Sequence, residues 1–158
     1  MAKILFSDTC SDLSRWTKAI NAYQMTGGPP PGVSSQWKVV NGAFECREKF
    51  YVAADMITSN PFFVPPRVTP QLSFNGQWSS GTSLYGYEGL DIVVIRGLYT
   101  SKLISTFTGT TSWKKWTLAL PPTGASGENY KLKLIFRTSF NDINNSWCRV
   151  DNISVFIA

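Results

Sequence analysis

"YKLKLIFRTSF", residues 130–140, alternates cleanly: Leu132, Leu134 and Phe136 fall on one side, Lys131, Lys133 and Arg137 on the other. That period of two marks a strand with one face on a core and one in water. "CRVDNISVFI", residues 148–157, repeats the pattern with Val150, Ile153, Val155 and Ile157 inward. Its phase slips between Val150 and Ile153, which predicts a bulge near Asp151–Asn152. Seven further runs are rich in β-branched and aromatic residues: Lys3–Ser7, Trp37–Val40, Ala43–Ala53, Gln71–Phe74, Leu90–Ile95, Lys102–Phe107 and Lys115–Leu120. Clusters of Gly, Pro, Asn or Ser separate them.

Strands without helices between them predict an all-β, antiparallel two-sheet β-sandwich of jelly-roll type with eight to ten strands. Leu13–Ile20, after Ser11 or Asp12 as a cap, is the one place where a helical turn or two competes. "TGGPPPG" (26–32) and "NPFFVPPRVTP" (60–70) cannot be central strands, because proline donates no ladder hydrogen bond. The 158 residues suit one domain, 1–158, with 43% hydrophobic and only 16% charged residues against disorder.

Charge and residue types exclude more than they select. The net charge of +5 is scattered, and its densest spots, Lys114–Lys115 and Lys131/Lys133, are too short for a nucleic-acid arm. No apolar stretch reaches the roughly 20 residues of a membrane span. The opening "MAKILFSD" carries one basic residue and too short an apolar segment for a secretory leader. Histidine is absent, so a Ser–His or Cys–His nucleophile has no base. Glu45 and Glu48 have opposite strand parity, and no local carboxylate pair suits glycoside cleavage. Nor does "GYEGLDIVVIRG" lead from a strand into a helix as a phosphate loop must. These absences argue against an enzyme.

A zinc site in this chain would have to be built from cysteines and carboxylates, and no C-x-x-C spacing invites one. Calcium is the better expectation. Antiparallel pairing of the first and last strands brings Asp8 toward Asp151, and Glu45 and Asn41 add oxygens of the kind a structural Ca²⁺ takes. The alternative is that each aspartate caps a turn through a backbone N–H. The same pairing brings Cys10 toward Cys148; a disulfide there, one between Cys10 and Cys46, or three buried thiols are all open.

Five of the six tryptophans, with neighbouring aromatics, divide by context. Trp37, Trp116 and Phe136 lie in strand runs and belong to the core. Trp78, Tyr85, Tyr87, Trp113 and Trp147 stand in polar surroundings: "NGQWSSG", "SLYGYEG", "TTSWKKW" and "NNSWCR". A flat apolar ring beside Asn, Gln and Ser is what a sugar needs, and a nucleobase would use the same platform with cations nearby. The competing reading is that these rings plug the ends of the core.

The opening "ILFSDTCSDLSRWT" with "WKVVNGAFEC", the middle "YEGLDIVVI" with "WKKWTLALP", and the closing "WCRVDNISVFI" come in an order that resembles jelly-roll carbohydrate-binding modules and MAM-like, galactose-binding-like domains. The resemblance spans nearly the whole chain. It implies a non-catalytic, glycan- or polysaccharide-binding module at a cell or virion surface or outside the cell, with a structural Ca²⁺ near the paired terminal strands. It also implies that "YGYEG" is a corner leading into a core strand, its tyrosines at the rim. A structural or assembly subunit that self-associates as a homo-oligomer through the same sandwich is the competing reading, motivated by missing catalytic groups and Pro-rich arms.

Overall fold

The computed structural model describes residues 2–23, 32–48, 52–80, 88–98, 100–139 and 146–158. They form twelve strands: β1 (Lys3–Asp8), β2 (Trp16–Tyr23), β3 (Trp37–Val40), β4 (Ala43–Arg47), β5 (Val52–Ser59), β6 (Phe62–Val64), β7 (Gln71–Ser79), β8 (Gly89–Arg96), β9 (Thr100–Phe107), β10 (Lys114–Ala119), β11 (Glu128–Ser139) and β12 (Trp147–Ile157). No helix occurs among the described residues, so none there is long and apolar enough to cross a membrane.

Two six-stranded antiparallel sheets face each other. In one, the order is β10-β7-β12-β4-β3, with β1 also on β12. In the other it is β2-β5-β11-β8-β9, with β6 also on β11. Each sheet is organised by one long strand, 12 residues in β11 and 11 in β12. One edge of each is shared by two shorter strands in succession. β4 pairs residues 147–150 of β12 and β1 pairs residues 153–157. β5 pairs residues 133–139 of β11 and β6 pairs residues 128–130. The two runs whose alternation is clearest are therefore the two strands on which the sandwich is built.

The expected slip in β12 is present: its register with β7 shifts between Asp151 and Ser154, and Asn152 has φ 48°. The jelly-roll-type sandwich is as expected, with more strands than the eight to ten anticipated. The added strands have clear causes. Ala43–Ala53 is two strands, because the chain leaves one sheet after Arg47 and enters the other at Val52. Phe62–Val64 forms a short strand within the Pro-rich segment, at a place where only three pairs are needed. Leu13–Ile20 is not helical. Asp12 caps a turn, accepting from Ser14 N at 2.9 Å, and from Trp16 onward the chain pairs with β5 along eight residues. A short isolated helix is marginal, whereas a strand joining an existing sheet edge gains a full ladder.

The core holds two aromatic groups. Phe6, Trp16, Phe44, Phe62 and Tyr130 form a chain of ring contacts with centroids 5.1–6.4 Å apart. Phe74, Trp78, Phe107 and Trp116 form the other, at 4.7–6.0 Å. Gly76 belongs to the second group by having no side chain: a Cβ there would stand 2.9 Å from Phe74 Cε2. Gly89 opens β8 at φ 153°, and a Cβ would stand 2.1 Å from the Phe107 carbonyl oxygen. The first position of β8 thus requires glycine.

Alternation also gives the facing interior rows. Across one sheet the inward row is Trp37, Cys46, Cys148 and Trp78. Across the other it is Asp55, Phe136, Leu90 and Phe107. All eight are buried except Phe107, which is partly so.

Candidate functional site

The outward face of the β12 sheet carries the polar neighbours of these core residues. Registers place Lys38, Glu45, Arg149 and Gln77 in one row, and Arg47, Trp147 and Ser79 in the next. Glu45 is almost covered: Arg149 Nε lies 3.5 Å and Arg47 Nε 3.8 Å from its carboxylate. Arg149 also donates to Val40 O at 3.1 Å, which fixes its guanidinium over the sheet. On the same face Asn75 Nδ2 donates to Asp151 Oδ1 at 3.1 Å, with Lys115 opposite Asn75.

Two of the expected aromatics belong here. Trp147 is half-buried at the start of β12, with the Arg47 guanidinium 5.5 Å from its ring centroid. Trp113 immediately precedes β10 and is 41% exposed. It stands one residue before the Lys114–Gly76 pair, at the β7 side of this sheet. β7 runs between the two rings, presenting Gln77 and Ser79.

Trp78 is elsewhere. It lies inside β7, not in a loop, at 1% exposure, with Phe107 and Trp116 at 4.7 and 4.9 Å. Its polar neighbours misled the loop reading: Asn75, Gln77 and Ser79 are the alternate, outward residues of the same strand. Tyr85 and Tyr87 lie outside the described residues. Glu88, next to them, is buried and accepts from Ser146 Oγ at 3.0 Å.

The expected metal residues are separated by their own partners. Asp8 Oδ1 accepts from Cys10 N at 2.7 Å, and Oδ2 accepts from Trp16 Nε1 at 2.8 Å with Arg15 3.2 Å away. This is the turn-capping alternative, reinforced by an indole and a guanidinium. Asp151 is held by Asn75, and Glu45 by two arginines. Among the described residues, the one group of three or more carboxylate or thiol donors that converges is Cys46, Glu48 and Asp55. Asp8, Glu45 and Asp151 do not. The cysteines are three buried free thiols. β12 brings Cys148 directly opposite Cys46, while Cys10 lies apart, next to the β1–β12 pairing. Burial, with Asp8 nearby, pushes the Cys10 thiol up to about 12.

The other sheet's outward face is different in kind. Asp91, 2% exposed, accepts from Arg137 Nε at 2.7 Å and Thr106 Oγ1 at 2.9 Å. Val93 and Ile135 beside it are nearly covered, at 8% and 6% exposure. Between the sheet edges, a cleft of about 400 Å³ is lined by Lys102, Leu103, Leu120 and Pro121 among others.

No family model matches the chain, and no curated protein matches it in sequence. Solved structures do. The K3 cleaved adhesin domain of Lys-gingipain from Porphyromonas gingivalis w83 is similar at 13% identity and TM-score 0.55, over 99% of each chain. TmCBM61 in complex with β-1,4-galactotriose is similar at 9% identity and TM-score 0.55, over 93% of this chain and 91% of that one. The enzymatically active domain of bacteriophage CBA120 tailspike protein 4 is similar at 10% identity and TM-score 0.59, over 95% of this chain but 20% of that one. The two-sheet β-sandwich is the part shared with these structures. At these identities the likeness is one of fold.

Proposed function

We propose that the protein is a non-catalytic module that binds a glycan on the outward face of the β12 sheet. What supports this reading is the position of Trp113 and Trp147 at the two flanks of β7, Trp113 leading into β10 and Trp147 opening β12. Between and beside them stand Arg47, Gln77, Ser79 and Arg149. Two strand spacings separate the rings, about 9–10 Å in the ladder direction. A saccharide laid across β7 would rest its apolar C–H faces on indole and offer hydroxyls to guanidinium and amide groups. That division of labour, rings for area and a few fixed polar groups for orientation, suits carbohydrate recognition. The fold likeness to a module solved with β-1,4-galactotriose supports this class of ligand. The absence of histidine from the chain supports binding without nucleophilic catalysis of the Ser–His or Cys–His kind.

The test is calorimetric titration with a panel of soluble β-linked polysaccharides, galactan included. Trp113→Ala and Trp147→Ala are expected each to weaken binding at least about tenfold, or 1.4 kcal/mol, with unchanged circular dichroism. Lys133→Ala, on the other sheet, should bind as the parent does. Unchanged binding in both tryptophan variants removes this face from consideration, and a loss confined to Lys133→Ala moves the site to the other sheet.

A further inference from the structure

The β3–β4–β5 end of the facing rows contains a group that sugar recognition does not use. Cys46, Glu48 and Asp55 are 0–1% exposed, and their donor atoms all lie within 4.8 Å of one another. Cys46 Sγ is 3.9 Å from Glu48 Oε2. Cys148, also fully buried, is the direct cross-strand neighbour of Cys46. The three donors reach this point from both sheets: Cys46 from one, Asp55 from the other, and Glu48 from just past the end of β4, with Cys148 on the strand beside Cys46.

Asp55 makes the site unusual. The inward residues of β5 are Ala53, Asp55, Ile57 and Ser59, so a carboxylate occupies a core position on a strand flanked by β2 and β11. Ser35 Oγ and Gln36 N each donate to one of its oxygens at 2.6 Å. Those bonds hold the carboxylate in place and leave lone pairs for another partner, as outer-shell donors do for ligating carboxylates. Two acids and a thiol converging in a dry interior repel one another when ionised, unless a proton or a cation stands between them.

We propose that Cys46, Glu48 and Asp55, with Cys148 as the adjacent fourth donor, form a four-coordinate site for a borderline-soft divalent cation of the zinc class. Around Zn²⁺, with Zn–S about 2.3 Å and Zn–O about 2.0–2.2 Å, tetrahedral ligands stand about 3.3–3.8 Å apart. The 3.9 Å between Cys46 Sγ and Glu48 Oε2 needs only a slight contraction to meet that spacing. Thiolate donors and low coordination number select against Ca²⁺, which takes six to eight oxygens. Each thiol that ligates gives up its proton to solvent, and the dication offsets half of the charge that two thiolates and two carboxylates bring together. The site ties the two sheets together at an end where hydrocarbon packing is interrupted.

The experiment is refolding of the full chain under a phosphine reductant with Co²⁺ as the optical probe for zinc. The expected result is one cobalt per chain, with thiolate-to-cobalt charge-transfer absorption and the intense visible bands of a tetrahedral site, both erased by Zn²⁺. Cys10→Ser should keep the spectrum. Cys46→Ser should abolish it, and Asp55→Asn should weaken cobalt binding at least about tenfold. No charge-transfer band in the parent, a band that survives Cys46→Ser, or one lost in Cys10→Ser overturns the proposal. Should Cys46→Ser fail to fold, undiminished binding by Asp55→Asn overturns it equally. A Cys46–Cys148 disulfide in the freshly isolated protein, read from intact mass, also does so.

Discussion

The two ends of one interior row differ in everything except burial. At one end Trp78 meets Phe107 at 4.7 Å and Trp116 at 4.9 Å, over a glycine that leaves room for the rings. Two positions along the same row, past Cys148, Cys46 meets Glu48 and Asp55. The first end is held by apolar area and ring geometry, which need no partner outside the chain. The second gathers groups that are individually costly in an interior. A sandwich can pack either way across the same ladder of backbone hydrogen bonds. The ladder sets positions and leaves the chemistry of each to its side chain.

The largest effect should come from breaking the ring end. Trp78→Ala removes a fully buried indole from a packed cluster and is expected to cost about 3–5 kcal/mol in urea unfolding. A cost below about 1 kcal/mol would mean that this end collapses as easily as the other. Next, Asp55→Ala leaves Gln36 N without its acceptor and should cost about 2 kcal/mol in the metal-free protein. That cost should grow when zinc is present during refolding, and an identical cost with and without zinc would erase the distinction drawn between the two ends. The smallest effect concerns a thiol outside the cluster. Cys10 has its folded value raised from the ordinary 9.0 to about 12. A raised value contributes stability that is whole below pH 9 and is lost as pH climbs toward 12. From pH 9 to 10 the loss attributable to this group is at most about 1.4 kcal/mol. Cys10→Ala should flatten that part of the pH profile of the unfolding midpoint, and a parent-like slope would mean that other groups set it.

What was readable beforehand followed from local patterns. Residues 130–139 and 148–157 announce themselves as strands because one-sided burial leaves a period of two, and the slip near Asp151 is visible as a broken phase. Trp78 was misplaced for a physical reason: Asn75, Gln77 and Ser79 make a strand with one polar face look like a polar loop. The break within Ala43–Ala53 was hidden because both halves are good strand sequence, and only the change of sheet separates them. Of the residues on the proposed glycan face, Trp113 and Trp147 stand in the sequence as aromatics in polar company. The Cys46–Glu48–Asp55 group was not. Its assembly depends on β4 and β5 lying in different sheets, and Cys148 joins it through a pairing across about a hundred residues. The clue available was Asp55 itself, an acid at a position where alternation within "VAADMITS" asks for an apolar residue.

The sharing of β12 among β1, β4 and β7 sets the order of events during synthesis. Its partners emerge from the ribosome well before β12 does, and none of these three strands pairs with another, so they wait with open edges for β12. The β11 sheet can assemble earlier, around a strand made some twenty residues sooner. Pairings this distant in sequence close slowly, and exposed strand edges are what aggregation exploits in the interval. Strand β12 is thus the keystone of its sheet, and loss of even half of it would remove the seat of β1 along with one flank of β7.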